Sequence, residues 1–190
     1  MKLLRLTALL MIATAAPAYA DSESCKNFVT NTTGRAMDIF HDTKTDATAK
    51  RKALASIFKG AVDTDWIGRA VLGRYWKTAT PEQQQTYLQL YREYLASSYI
   101  SKFDPEDGME VDAIKLLSFA PNDSGGFLAK TIIDNKSEED VHVDYVVEDV
   151  AGECKVHDVK VEGVSVLISQ RSEFGNLAGN KGVAGIISIM

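Results

Sequence analysis

Apolar residues recur at intervals of three and four from Cys25 to about Lys102, and at intervals of two from Met109 onward. The first regime predicts helices. Phe28, Val29, Met37, Ile39 and Phe40 mark one over residues 25–40, and Asp42 to Thr48 is a polar break. Ala53, Leu54, Ile57 and Phe58 mark a second over 49–59, which ends near Gly60. Asp63 or Thr64 can cap a short third helix carrying Trp66, Ile67, Ala70 and Val71, and Gly73 stops it. Thr80-Pro81-Glu82-Gln83 then reads as a helix start: Thr80 caps, Pro81 takes the first helical position and Gln83 completes a capping box. That helix should run to about Lys102 and stop at "FDPEDG". The second regime predicts four strands, over 109–119, 126–135, 141–149 and 154–169, separated by "PNDSGG", "NKSEED" and "DVAGE". Residues 172–190 read as a Gly-punctuated helical tail.

Helices over 21–103 followed by a meander over 109–170 give an α+β fold: a curved antiparallel sheet with helices on its apolar face. The long helix carries two adjacent apolar stripes, Leu88, Tyr91, Leu95 and Tyr99 beside Tyr87, Leu90 and Tyr94. A helix packed once against a sheet needs one stripe about 100° wide. The wider arc means either burial between the sheet and other helices, or a face that lines a cavity. On the third strand Val141, Val143, Tyr145 and Val147 share one face, and His142, Asp144 and Glu148 share the other.

Composition changes the picture first at the N-terminus. Lys2 and Arg5, the short apolar run "LTALLMIATAA" and the small-x-small end "AYA" read as a signal peptide over residues 1–20, cleaved after Ala20. Export of this kind leads to the periplasm of a Gram-negative cell. The full chain carries 21 basic and 26 acidic residues. Loss of Lys2 and Arg5 leaves 19 against 26, a net charge of −7. Such a balance opposes nucleic-acid binding and permanent adhesion to anionic headgroups. In an oxidising compartment Cys25 and Cys154 can bridge the first helix to the late sheet, although sequence leaves their separation open.

Candidate chemistry is sparse. His142 and Asp144 fall on the polar strand face, and His157 adjoins Asp158; a metal ligand set or general base would have to be drawn from these. The alternation places His142 and Asp144 on the exposed face. Ser165 lacks the Gly-x-Ser-x-Gly elbow of a nucleophile. No catalytic residue, metal or cofactor is assigned. Arg69 and Arg74 flank the Gly73 turn and Arg171 stands three residues before Phe174; each can meet a phosphate or an acidic partner.

"DWIGRAVLGRYWKTATPEQQQTYLQLYREYLASSY" resembles the signature region of the MlaC-type periplasmic phospholipid carriers, also called the toluene-tolerance family. "DYVVEDVAGECKVHDVKVEGVSVLISQRSEF" resembles a second block of that family, in the same order. Two departures stand out. Glu153-Cys154-Lys155 occupies the place of a usual tryptophan, and the chain stops at Ile189-Met190 where a basic tail is common. The resemblance implies an NTF2-like sheet whose helices close an apolar pocket around phospholipid tails. It also implies shuttling between an outer-membrane lipoprotein complex and an inner-membrane ABC transporter with its substrate-binding ring, and so a part in outer-membrane lipid asymmetry. Under that reading the tails are expected against Trp66, Ile67, Val71, Tyr75 and Trp76 of the turn region, and against Leu88, Tyr91, Leu95 and Tyr99 of the long helix. The sheet would add Ile133, Val143, Tyr145, Val147, Val164, Val166 and Ile168. Two alternatives stay open: an NTF2-like enzyme on a small hydrophobic substrate, or a carrier of another lipid such as a hopanoid.

Overall fold

The computed structural model describes residues 21–100, 111–135 and 139–190. The signal segment and the expected helix end at Lys102 lie outside them. Among the described residues, five α-helices, a 3-10 turn and five strands follow in the order helices, sheet, helix.

Asp21 opens α1 (Ser22–His41) by accepting a hydrogen bond from the Ser24 amide at 2.7 Å. Asp46 does the same for α2 (Ala47–Ala61), through the Ala49 amide at 2.9 Å. Asp63 caps α3 (Thr64–Leu72) through the Trp66 amide at 3.0 Å. Gly73 ends α3 with φ +54°, a conformation costly for any residue with a Cβ, and the 3-10 turn Gly73–Thr78 follows. The capping box at α4 (Pro81–Ile100) forms as its sequence predicts. The Thr80 amide donates to Gln83 Oε1 at 3.1 Å, and the Gln83 amide donates to Thr80 Oγ1 at 3.3 Å.

The strands β1 (Val111–Pro121), β2 (Phe127–Asn135), β3 (Val141–Val150), β4 (Glu153–Val161) and β5 (Val164–Ser165) form one antiparallel sheet in chain order. Four long strands and a two-residue fifth stand where four were expected. The last expected strand, running to Ser169, is corrected. After Val161 the chain turns at Glu162 and Gly163, both at positive φ. Ser165 Oγ then accepts from the Ile168 amide at 3.0 Å, and Asp158 Oδ1 accepts from the Leu167 amide at 3.0 Å. These two caps start α5 (Val166–Ile187) six residues earlier than the periodicity suggested, and α5 kinks at Gly182.

The interior divides in two. In one core α1 lies on the inner face of the sheet. Its Cys25 and Val29 meet Ala129, Val147 and Cys154. Farther along α1, Met37 and Phe40 pack on Val111, Ile133 and Val143. Cys25 and Cys154 are joined as a disulfide, with Cα atoms 5.3 Å apart. The other core is helical: Ile67, Val71 and Leu72 of α3, Tyr87, Tyr91 and Leu95 of α4, and Phe174, Ala178, Val183 and Ile186 of α5. The double stripe of α4 is thereby explained. Both stripes are covered, Tyr87 and Tyr91 each meeting α3 and α5.

Candidate functional site

Phe174 sits at the centre of the helical core. Its ring meets Tyr87, Tyr91 and Tyr94 edge-on, with centroids 6.4, 5.8 and 5.7 Å away. The Tyr87 hydroxyl donates to the Gly68 carbonyl at 3.2 Å, and the Tyr91 hydroxyl donates to Gln170 Oε1 of α5. Both phenols are pushed far above their ordinary range by burial. A buried hydroxyl without a partner would be costly, so these bonds fix how α4 seats against its neighbours. Asp65 and Arg92 add a bidentate pair between α3 and α4, at 2.6 and 2.7 Å, on the exposed side.

This arrangement sorts the sixteen apolar candidates. Ile67, Val71, Tyr91 and Leu95 are buried in the helical core, with Tyr75, Trp76, Leu88 and Tyr99 packed around it and partly covered. Trp66 stands apart, 38 % exposed and stacked on His157. Ile133, Val143, Tyr145 and Val147 do share the inner sheet face, against α1. Val164, Val166 and Ile168 do not. Val164 is 62 % exposed, and Val166 and Ile168 belong to α5, Ile168 being 69 % exposed. The turn at Glu162-Gly163 and the Ser165 cap take all three out of the sheet interior.

Two concavities stand out among the described residues. One, of about 570 Å³, is open and lined by Lys59, Asp63, Asp65, Arg92, Glu93 and Lys155 among others. The second, of about 300 Å³, lies between α1 and α2. None of the sixteen candidates lines either one.

The place where the two cores approach has a different character. Tyr99 stacks on Phe58 of α2 with centroids 6.4 Å apart. Its phenol is raised by burial first, then by Tyr94 and by Asp158 of β4, while Gln170 of α5 opposes the rise. Tyr145 belongs to both halves of the sheet core. Burial pushes its phenol up to about 12, although part of its surface stays uncovered. Among the described residues the two cores share none.

The three arginines are exposed. Arg171 spreads over the Gly73 turn, its Nη2 3.4 Å from the position a Cβ would take there. Arg74 donates to the Tyr75 hydroxyl at 2.7 Å and lies 4.8 Å from its ring centroid. His142 is exposed, as its strand face requires. His157 is not: it is buried, and strand alternation gave no sign of this. The β3–β4 register shifts between Val146 and Val147, so Val156 and Asp158 find partners and His157 is the extra residue of a bulge. Gln170 and Asp158, which fasten α5 to α4 and β4, were also missed. A polar residue within an apolar helix run is the one sequence cue Gln170 offers.

The MlaC protein family model matches residues 30–190. A phospholipid-binding protein from Ralstonia solanacearum, solved in complex with a phospholipid, has the same fold, with a TM-score of 0.70 at 19 % identity. The match covers 87 % of this chain and 94 % of that one. The order of helices, sheet and helix, the signature residues around the Gly73 turn and the extent of the family match lead to one assignment: this chain belongs to the MlaC family.

Proposed function

We propose that the protein is a phospholipid carrier that holds acyl chains between its two cores and brings about no chemical change in them. The observation that carries this reading is the divided interior: among the described residues a helical core, with Phe58 and Tyr99 packed on it, and a sheet core, with Tyr145 packed on it, have no residue in common. Family membership and the phospholipid bound by the Ralstonia relative support it. Sheltering one CH₂ from water is worth about 0.8 kcal/mol, so two chains with some 30 methylenes require about 24 kcal/mol of apolar cover. Only facing apolar walls, parted to admit the chains, supply that much. Tyr99 would form the helical wall, and Ile133, Val143 and Tyr145 the sheet wall. The headgroup would stay at the surface.

The protein would act in the periplasm after cleavage near Ala20. It would exchange lipid with an outer-membrane lipoprotein complex and an inner-membrane ABC transporter bearing a substrate-binding ring, and so serve outer-membrane lipid asymmetry. A carrier needs an acceptor of comparable apolar cover at each end and no catalytic group. The test is organic extraction of the protein purified from the periplasm, with mass spectrometry of the extract. Near-equimolar diacyl phospholipid is expected. A lipid-free protein that also takes up none from vesicles would refute the reading.

A further inference from the structure

The α2–α3 junction meets β4 along one short line. Val62 forms a parallel bridge with Val156, and the Asp63 amide donates to the Val156 carbonyl at 3.1 Å. Lys155 Nζ donates to the Gly60 carbonyl at 2.9 Å. At the next position the β4 bulge turns His157 toward α3, where its ring stacks on Trp66 with centroids 4.2 Å apart and planes 13° from parallel. His157 Nε2 lies 3.3 Å from Asp63 Oδ2, but buried and without a hydrogen bond. The other oxygen of Asp63 caps α3. One buried imidazole therefore lies against Asp63, which both caps α3 and bonds β4, and against the Trp66 ring.

We propose that His157, Asp63 and Trp66 form a pH-sensitive clasp, which holds the helical bundle to β4 while the imidazole is neutral and loosens when it is protonated. An imidazolium here has lost its water, and its Nε2–H needs an acceptor that the present geometry does not align. Asp63 Oδ1 is already taken by the Trp66 amide, so the poorly aligned Oδ2, 3.3 Å away, is the oxygen left for it. The charged surroundings do not remove this conflict. Asp63 from the α2–α3 junction and Glu148 from β3 favour the proton, and burial outweighs both, holding the imidazole below its ordinary value. On β4 itself, Lys155 is engaged with Gly60 and Glu153, and Asp158 with Ser165 and Leu167. Asp65 is held by Arg92.

The sign follows from linkage. A histidine depressed in the folded state takes up its proton more readily when unfolded. The stability of the neutral clasp is thus complete above about pH 6.5 and is lost as pH falls through the depressed value.

Trp66 is a built-in reporter, because a protonated imidazole quenches an indole stacked on it. The experiment follows tryptophan fluorescence from pH 8 to pH 5 in the Trp76→Phe protein, where Trp66 is the sole tryptophan. Quenching with a midpoint below about 6.5 is expected. His157→Gln should abolish the transition, and Asp63→Asn should move its midpoint lower. In the wild-type chain, the NMR titration of the imidazole Cε1–H signals gives the same midpoint without any substitution. Melting temperature should fall between pH 7 and pH 5.5 by more in the wild type than in His157→Gln. A flat fluorescence profile, a transition that survives His157→Gln, or a His157 midpoint above the ordinary histidine value would overturn the clasp.

Discussion

Replacing both cysteines, Cys25→Ala with Cys154→Ala, removes the bond that holds α1 on the inner sheet face. The bridged residues are 129 apart in sequence. Loop-closure entropy for a ring of that size amounts to about 5 kcal/mol, an upper figure because denatured chains keep some structure and measured bridges typically contribute about 2–4 kcal/mol. Both residues are buried, among Val29, Ala129 and Val147, so deleting the sulfurs also loosens packing at a cost of about 1 kcal/mol. The expected loss is about 3–5 kcal/mol, a large share of the roughly 5–15 kcal/mol that holds a domain together. Urea unfolding at pH 7, followed by circular dichroism, should show the midpoint falling by about 1–5 M, given slopes of about 1–3 kcal/mol/M. Coincident midpoints for the oxidised wild type and the double variant would show that the bridge restrains nothing, and that α1 is held by packing alone.

Two further substitutions examine the helical core. At Gly68 an added Cβ would stand 2.9 Å from Tyr91 Cδ1 and 3.0 Å from Leu88 Cδ2; Gly68→Ala should therefore destabilise by about 1–3 kcal/mol in the same urea assay, and an unchanged midpoint would mean that α3 and α4 are less tightly apposed. Tyr91→Phe leaves buried Gln170 without the hydroxyl that bonds its Oε1; a loss of about 1–3 kcal/mol is expected, and restoring the balance with Gln170→Leu should recover part of it.

Much of this architecture is legible in the residues. The Asp63 cap, the Thr80–Gln83 box and the period-two strands each rest on local chemistry, so local pattern suffices to find them. The alternation in β3 also put Val143, Tyr145 and Val147 on the buried side. What stayed hidden depends on partners distant in sequence. That α5 reaches both stripes of α4 is settled by Phe174 meeting Tyr87 and Tyr91, some eighty positions away, and no local period reveals it. The run "GVSVLIS" alternates like a strand, but Asp158 and Ser165 cap a helix there, which sent Val166 and Ile168 to α5. His157 was unreadable for a related reason. A one-residue bulge changes the face of a side chain, and its cause lies in how β3 and β4 pair.

The placement of the acyl chains is open to direct measurement. A phospholipid with a photoreactive diazirine near the end of one tail can be loaded from vesicles, irradiated, and its adducts mapped by peptide mass spectrometry. Labelling should concentrate on Tyr99, Phe58, Tyr145 and Val143, along the meeting of the helical and sheet cores. Adducts confined to the open cleft around Lys59 and Arg92, or scattered over the outer surface, would contradict the account.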